Sequence, residues 1–233
     1  METLRQGFGW RYPAAALADI PAKVSVTSLV HAAEQTTLER PGFLSKDGLT
    51  AAEMGTALHA FLEHADFGAL AAVRDAEDDA VLDAVRAERE RQAAAQLTPA
   101  IVGKLDVYKI LRFVRSEAFR RICGAEDVLR ELAFITSLPA AEVMAAQGRA
   151  LPDGPAADAG VLVQGIADIV LIYPDHLELL DYKTDRRKAP ADFVRAYRAQ
   201  LELYAKAIEK RFAPRRVTYK GIYSLELGEL IEV

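Results

Sequence analysis

The stretch LLDYKTD, residues 179–185, determines how the second half of this chain can be interpreted. It ends an apolar run with Asp181 and Lys183, which are two positions apart and therefore point to the same face of a β-strand. The segment just before it, VLVQGIADIVLIY (161–173), has the β-branched content of a second strand. Pro174 and Asp175 lie between the two and predict a hairpin turn.

The hairpin places two carboxylates close together. If the chain turns between Pro174 and Asp175, then Asp168 lies directly opposite Asp181. Strand alternation then predicts one shared face for eight side chains: Ile166, Asp168, Val170, Ile172, Leu177, Leu179, Asp181 and Lys183. Opposed like charges are destabilising, so this face needs a cation, either Lys183 or a bound metal.

Two interpretations of these acids stay open. Asp168 and Asp181 could be strand-end acids at a solvated edge with Lys183 as their partner, and a one-residue shift of register would turn Asp168 to the other face. Alternatively, the two carboxylates bind a hard cation such as Mg²⁺, which keeps waters and also binds phosphate. Such a site predicts phosphodiester hydrolysis, in which Lys183 orients or deprotonates the attacking water.

The rest of the chain is predicted to be helical first and mixed afterwards. Residues 1–24 indicate an extended lead-in, and apolar periodicity predicts helices over about 26–36, 51–67, 75–97 and 99–122. After these come further elements: a strand at 127–138, a short helix at 139–147, the hairpin, a helix at 191–212 and a last strand at 215–227, which we expect to pair with 229–233.

Composition bounds the classes of function. The 233 residues, 51% hydrophobic and 27% charged, suffice for one domain, and the net charge is −5. From Lys183 to Lys220, however, twelve basic and four acidic residues give about +8, which either steers a polyanion or is a solvated helix face. One cysteine, Cys123, excludes a four-cysteine metal site. No membrane span or signal peptide is recognised, so we expect a cytoplasmic protein.

Five segments in order carry a family resemblance: GTALH (55–59), RELAF (130–134), QGIADIV (164–170), LLDYKTD (179–185) and YRAQLELY (197–204). They resemble motifs of the RecB-like nucleases of the PD-(D/E)xK superfamily, most closely the nuclease domains of AddA-type helicase–nuclease subunits. The resemblance implies an α/β fold, with a restriction-endonuclease-like αβββαβ core and a mostly helical N-terminal half. It also implies a nuclease domain over 25–233, helical to about 122 and catalytic from about 127, after a linker at 1–24.

The resemblance assigns roles residue by residue. It implies that His59, Asp168 and Asp181 bind the metal with the Tyr182 backbone carbonyl, and that Lys183 is the catalytic lysine. Gln200 and Tyr204 match a motif that holds DNA or the lysine in place. Glu131 matches an acid of the first core strand, for which we assign no role.

The same resemblance implies an activity and its partners. We expect a Mg²⁺-dependent exonuclease, with Mn²⁺ as a possible substitute, which cuts single-stranded DNA ending 3′ during double-strand-break repair. A helicase portion and an AddB-like subunit would be partners. The chain has neither an iron–sulfur motif nor a GxxxxGK[ST] ATP loop, which suggests an excised or separately encoded domain. A non-catalytic docking module and a free-standing exonuclease are the alternatives.

Overall fold

A six-stranded mixed sheet organises the part of the chain that the computed structural model describes, which is residues 18–26, 51–95, 97–98, 102–151, 159–185 and 189–233. The strand order is β1–β3–β4–β5–β6, and β2 pairs with the edge of β3 that faces away from β1 and β4. The strands are β1 (Lys23–Ser25), β2 (Asp127–Pro139), β3 (Gly160–Ile172), β4 (His176–Lys183), β5 (Arg216–Ser224) and β6 (Glu229–Glu232).

Seven helices accompany the sheet in these described ranges. Five precede β2, one follows it, and the longest lies between β4 and β5. They are α1 (Ala51–His64), α2 (Phe67–Val73), α3 (Asp78–Ala95), α4 (Val107–Arg115), α5 (Glu117–Gly124), α6 (Ala140–Ala146) and α7 (Pro190–Arg211). The predicted order of a helical half, three strands, a helix and a final strand is confirmed, and the C-terminal pairing of β5 with β6 is also confirmed.

The predicted hairpin register is confirmed. Ile169 lies opposite Leu180 and Ile172 lies opposite Leu177, as a turn between Pro174 and Asp175 requires. The backbone N–H of Tyr173 donates to the carbonyl of His176 at 3.0 Å and closes the two-residue loop.

The prediction that Ile166 shares one face of the sheet with Val170 is wrong. Val170 belongs to the core under α7, whereas Ile166 is 49% exposed on the opposite face. Alternation fails because β2 and β3 each contain one residue that leaves the ladder: Arg130 pairs with Ile169 and Leu132 with Ala167, so that Glu131 and Asp168 are skipped. Because each strand skips one residue, the side chains beyond that residue point to the opposite face from the one that simple alternation predicts.

The helical half also differs from prediction in detail. Instead of one helix over 99–122, there are two, because Ser116 is extended at φ −77° and ψ 164°. Its hydroxyl accepts a hydrogen bond from the N–H of Phe119 at 3.3 Å and so begins a new helix. The predicted helix at 75–97 is Asp78–Ala95, and Phe67–Val73 is an additional helix capped by Asp66. The predicted helix at 26–36 lies outside the described residues.

Two hydrophobic clusters hold the layers together, one on each face of the sheet. Helices α1 to α5 cover the face that carries Ile169, Leu171 and Leu180, and α6 and α7 cover the face that carries Val163 and Leu179. The end of the lead-in takes part as well, because Val24 is buried and β1 pairs in parallel with β3. None of the helices in the described ranges combines the length and the apolar composition that a membrane span requires.

Candidate functional site

Three side chains from three elements converge at the skipped positions of the sheet. His59 comes from α1, Glu131 from β2 and Asp168 from β3, and one ligand atom of each lies within 4.8 Å of the others. The Nδ1 atom of His59 is 3.5 Å from Oδ2 of Asp168. One imidazole and two carboxylates at this spacing form a group that could hold a metal ion.

The local backbone explains why both acids can turn toward His59. Glu131 has φ 47°, a left-handed conformation that costs a non-glycine residue on the order of 1–3 kcal/mol and is held here by the pairs on either side. Opposite it, Oδ2 of Asp168 accepts the backbone N–H of Tyr182 at 2.7 Å, which fixes that carboxylate against β4. Strained geometry that survives in a paired sheet is typical of a functional site.

The position of His59 depends on a close approach of α1 to the end of β4. A Cβ atom at Gly55, one helical turn before His59, would lie 2.7 Å from Oγ1 of Thr184. Only glycine therefore lets α1 come this close without displacing Thr184. The His59 ring meets the Tyr182 ring edge to face, with centroids 5.9 Å apart.

A second group of side chains lies on the α7 side of β4. Asp181 is 1% exposed, and its Oδ1 atom accepts a hydrogen bond from Nε2 of Gln200 at 3.3 Å. Its Oδ2 atom forms an ion pair with Lys183. The Lys183 ammonium is 4.7 Å from the ring centroid of Tyr197, and the Tyr197 hydroxyl donates to Asp185.

Burial and mutual repulsion perturb the acids of both groups. Burial, followed by the charge of Asp168, raises the pKa of Asp181 to about 7, although Lys183 opposes that shift. Burial and then Asp168 likewise raise the pKa of Glu131 to about 7. For Lys183, burial favours the neutral form, but the negative charges of Asp181 and Asp168 outweigh it and raise the pKa of the amine. The site therefore holds more negative charge than its own lysine neutralises.

The site residues predicted from the sequence lie around this site, but Asp181 and Tyr204 do not belong to the His59 cluster itself. Asp181 is close enough to repel Asp168, but its oxygens contact Lys183 and Gln200, and it is outside the His59 cluster. Tyr204 is 2% exposed and packs edge to face on Phe134, with centroids 5.3 Å apart. Its pKa is raised to about 12, first by burial.

Two residues of the matching motifs, for which the sequence predicts no role, have a defined place in the structure. Glu131 joins the cluster because of a positive φ that no local sequence pattern predicts. Tyr197, the first residue of the motif YRAQLELY, lies under the ammonium of Lys183. The metal-ligand role of the Tyr182 carbonyl stays a prediction, since it is the N–H of Tyr182 that contacts Asp168.

The donor set fits a divalent cation. Carboxylate oxygens suit Mg²⁺ and Mn²⁺, and an imidazole is compatible with the latter. The raised pKa of Glu131 shows that burial and nearby carboxylates already make its charged form costly, and a cation between them would remove that cost.

Comparison with known proteins agrees with this geometry. A family model described as the PD-(D/E)XK nuclease superfamily matches residues 31–229. Over 94% of its length, the chain is 34% identical to the AddA subunit of the ATP-dependent helicase/nuclease of Moorella thermoacetica, and over 95% it is 32% identical to that of Bacillus velezensis. The subunit of the same name from Acetivibrio thermocellus is 31% identical over 99% of the chain. The chain spans 16% to 19% of the length of these relatives.

Proposed function

The chain belongs to the PD-(D/E)XK nuclease superfamily, and on this premise we propose that it is a Mg²⁺-dependent nuclease domain that hydrolyses phosphodiester bonds of DNA. The observation that carries the proposal is the convergence of His59, Glu131 and Asp168 beside the Asp181–Lys183 ion pair. This arrangement places cation ligands next to a fixed positive charge, which is the combination that a phosphodiester under attack requires.

His59, Glu131 and Asp168 would hold the metal, with Asp181 as a neighbouring carboxylate. Mg²⁺ is the proposed ion and Mn²⁺ a substitute, since both accept oxygen ligands. When bound, a divalent cation would stabilise negative charge developing on the phosphate and lower the pKa of the attacking water. The conformation of Glu131 supports this assignment, because its left-handed backbone is strained and its carboxylate lies beside His59 and Asp168.

Lys183 would act as a hydrogen-bond donor. Its raised pKa keeps the amine protonated at neutral pH, so it would orient the water or a phosphate oxygen rather than remove a proton. Asp181 and the ring of Tyr197 hold the ammonium from two sides. The charge is thus set before substrate arrives.

Gln200 and Tyr204 would position the acidic group from α7. The Gln200 amide donates to Asp181, and Tyr204 lies one turn further along the same helix. Gln200 therefore fixes the carboxylate that carries Lys183, and Tyr204 anchors the helix against β2 through Phe134. Both residues are thus proposed to be positioning residues.

The wider setting follows from the names of the relatives. We propose that residues 25–233 form the nuclease domain and 1–24 its lead-in, and that it works with a helicase portion and an AddB-like subunit. In that setting it would act as an exonuclease on single-stranded DNA, on the strand ending 3′, in double-strand-break repair. A site of cytoplasmic action accords with DNA as substrate.

The test is cleavage of labelled single-stranded DNA in Mg²⁺ by the wild-type chain and by Asp168→Asn. We expect the substitution to lower the rate about 100-fold or more, because it removes a cation ligand from a preorganised site. Asp175→Asn is the matched control, because Asp175 is an 85% exposed acid at the tip of the same hairpin. Equal rates for the two variants would refute the proposed site.

A further inference from the structure

Half of one sheet face has no helix over it in the described part of the chain. Glu131 and Asp168 divide β2 and β3 into a half near the hairpin and a half away from it. In the half away from the hairpin, α6 and α7 cover one side of the two strands, whereas α1 to α5 pack against the sheet only in the half near the hairpin. The opposite side, which we name the open face, carries the outward side chains of Lys23, Ser25, Ala133, Ile135, Ser137, Leu162, Gln164 and Ile166.

Three large aliphatic side chains are exposed on the open face. Ile135 is 62% exposed, Ile166 49% and Leu162 37%, and among the described residues the one other large hydrophobic side chain this exposed is Tyr108 on α4. A single exposed aliphatic residue is ordinary, but three on adjacent strands of one face form a continuous patch and indicate a binding surface. The patch leads directly to Glu131 and Asp168.

Cations lie along both margins of the patch. On the outer margin, Nζ of Lys210 donates to the Ser137 carbonyl at 2.8 Å and Nη1 of Arg211 donates to the Ala133 carbonyl at 3.3 Å. Both side chains are exposed, and neither forms an ion pair within the ranges that the structure describes. On the other margin, Lys23 is paired with Leu162. None of the eight residues that define the open face is acidic.

We propose that the open face binds the unstacked bases of a single DNA strand, whose phosphates lie along the cationic margins and whose chain leads to the His59 cluster. An apolar strip bordered by cations provides both parts of single-strand binding, which are contact with base faces and neutralisation of the backbone. This inference rests on the proposed function, since it assumes that the strand is cut at that cluster.

Strand geometry favours a single strand over a duplex. Side chains on one face of a strand recur about every 6.6 Å, roughly twice the 3.4 Å spacing of nucleotides in a stacked duplex strand. Leu162 and Ile166 are two such repeats apart, about 13 Å, and would each face a different base of an extended, unstacked strand. In a duplex, base faces are buried in the stack and cannot contact aliphatic side chains, so the patch would confer a preference for single strands.

The experiment measures binding separately from cleavage. Fluorescence anisotropy of a labelled oligothymidylate, and of a duplex of equal length, would be recorded with the 233-residue chain in EDTA. The variant Ile135→Ser/Ile166→Ser removes two exposed apolar side chains, so its folding should be retained, and thermal unfolding checks this. Tyr108→Ser is the matched control, since Tyr108 is 60% exposed on another surface.

We expect the double variant to bind the single strand at least about tenfold more weakly and the duplex unchanged, with Tyr108→Ser binding like wild type. Lys210→Gln and Arg211→Gln should instead reduce the salt dependence of binding, by about 0.7 in the log–log slope for each phosphate that is no longer neutralised. Single-strand affinity unaltered in the double variant would overturn the inference.

Failure of this inference is distinguishable from failure of the proposed function. If Mg²⁺-dependent cleavage is abolished by Asp168→Asn while the open-face variant binds DNA normally, the nuclease assignment stands and the open face is not the DNA site. If neither cleavage nor single-strand binding is found with the wild-type chain, both fail.

Discussion

Glu131 is the residue that distinguishes this site from a pair of ordinary strand-end acids. Asp168, Asp181 and Lys183 follow from the LLDYKTD stretch and the hairpin register, both of which are accessible from alternation and turn residues. Glu131 does not, because its place in the cluster depends on a left-handed backbone stabilised by long-range pairs. Its burial beside Asp168 gives a molecule that is less stable when its acids are charged.

Substitution of Glu131 should therefore change the pH dependence of stability. Its pKa of about 7 in the folded chain exceeds its ordinary value of 4.5, so the folded state holds a proton that the unfolded state releases. This contribution to stability is full below the unfolded pKa and is lost as the pH rises toward and through 7. In EDTA, we expect the urea midpoint to fall less between pH 5 and pH 8 in Glu131→Gln than in wild type.

The control for this measurement is Glu126→Gln, because Glu126 is an exposed acid next to the start of the same strand. Added Mg²⁺ should restore the wild-type midpoint at pH 8 more than at pH 5, because the ligands bind metal in their deprotonated form. A pH dependence that is the same in wild type and Glu131→Gln would contradict the placement of this carboxylate among buried negative charges.

At the scale of elements, the strands were more predictable than the helices. All of the predicted strands are present because β-branched residues, alternation and turn residues agree there. The predicted helix over 99–122 is divided at Ser116, because a capping hydroxyl outweighs a continuous apolar period. The sharing of one face failed because one skipped residue in each of β2 and β3 reverses alternation, and no sequence pattern marks it.

Packing between β3 and α7 gives a prediction at this scale. A Cβ atom at Gly165 would lie 2.8 Å from Cζ of Phe134 and 2.8 Å from Cε1 of Tyr204. We expect Gly165→Ala to destabilise the chain by about 1–3 kcal/mol in urea unfolding, because two buried rings must shift. Cleavage should also fall, since Tyr204 supports the helix that carries Gln200.

Gly124→Ala is the matched substitution, because the nearest atom to its added Cβ is the Tyr173 hydroxyl at 3.9 Å. It should change stability by less than about 1 kcal/mol, since that distance is an ordinary contact. If the two alanine variants were equally stable and equally active, the close packing of β3 on α7 would not matter to the site.

At the scale of the whole molecule, the basic residues of one segment fall into two groups, those in ion pairs and those beside the open face. The sequence predicts that the basic segment from Lys183 to Lys220 either steers a polyanion or is a solvated helix face. Part of it is structural, because Lys206 pairs with Glu142 and Arg216 with Glu209. Lys210 and Arg211, in contrast, border the open face, where we propose that phosphates lie. Sequence alone could not separate these, because Glu142 is 64 residues from Lys206, and the carbonyls that Lys210 and Arg211 contact are 73 and 78 residues away.

The ordered motifs indicate the family, and the sheet explains why residues so far apart in the sequence belong to one site. The motif residues come from four elements, with Gly55 and His59 on α1, Glu131 on β2, Asp168 on β3 and Lys183 on β4, and the sheet order brings them to one edge of the helical layer. The relatives that this chain is similar to are much longer proteins, of which this chain spans 16% to 19%.

The measurement that tests the central claim most directly is cleavage of labelled single-stranded DNA by wild type and Lys183→Ala, in Mg²⁺ and in EDTA, with Mg²⁺ affinity determined by calorimetry. We predict cleavage by wild type in Mg²⁺ only, and a reduction of about 100- to 1,000-fold in Lys183→Ala with Mg²⁺ binding no weaker. Cleavage by Lys183→Ala at the wild-type rate, or cleavage that persists in EDTA, would contradict the proposed roles of the lysine and the metal.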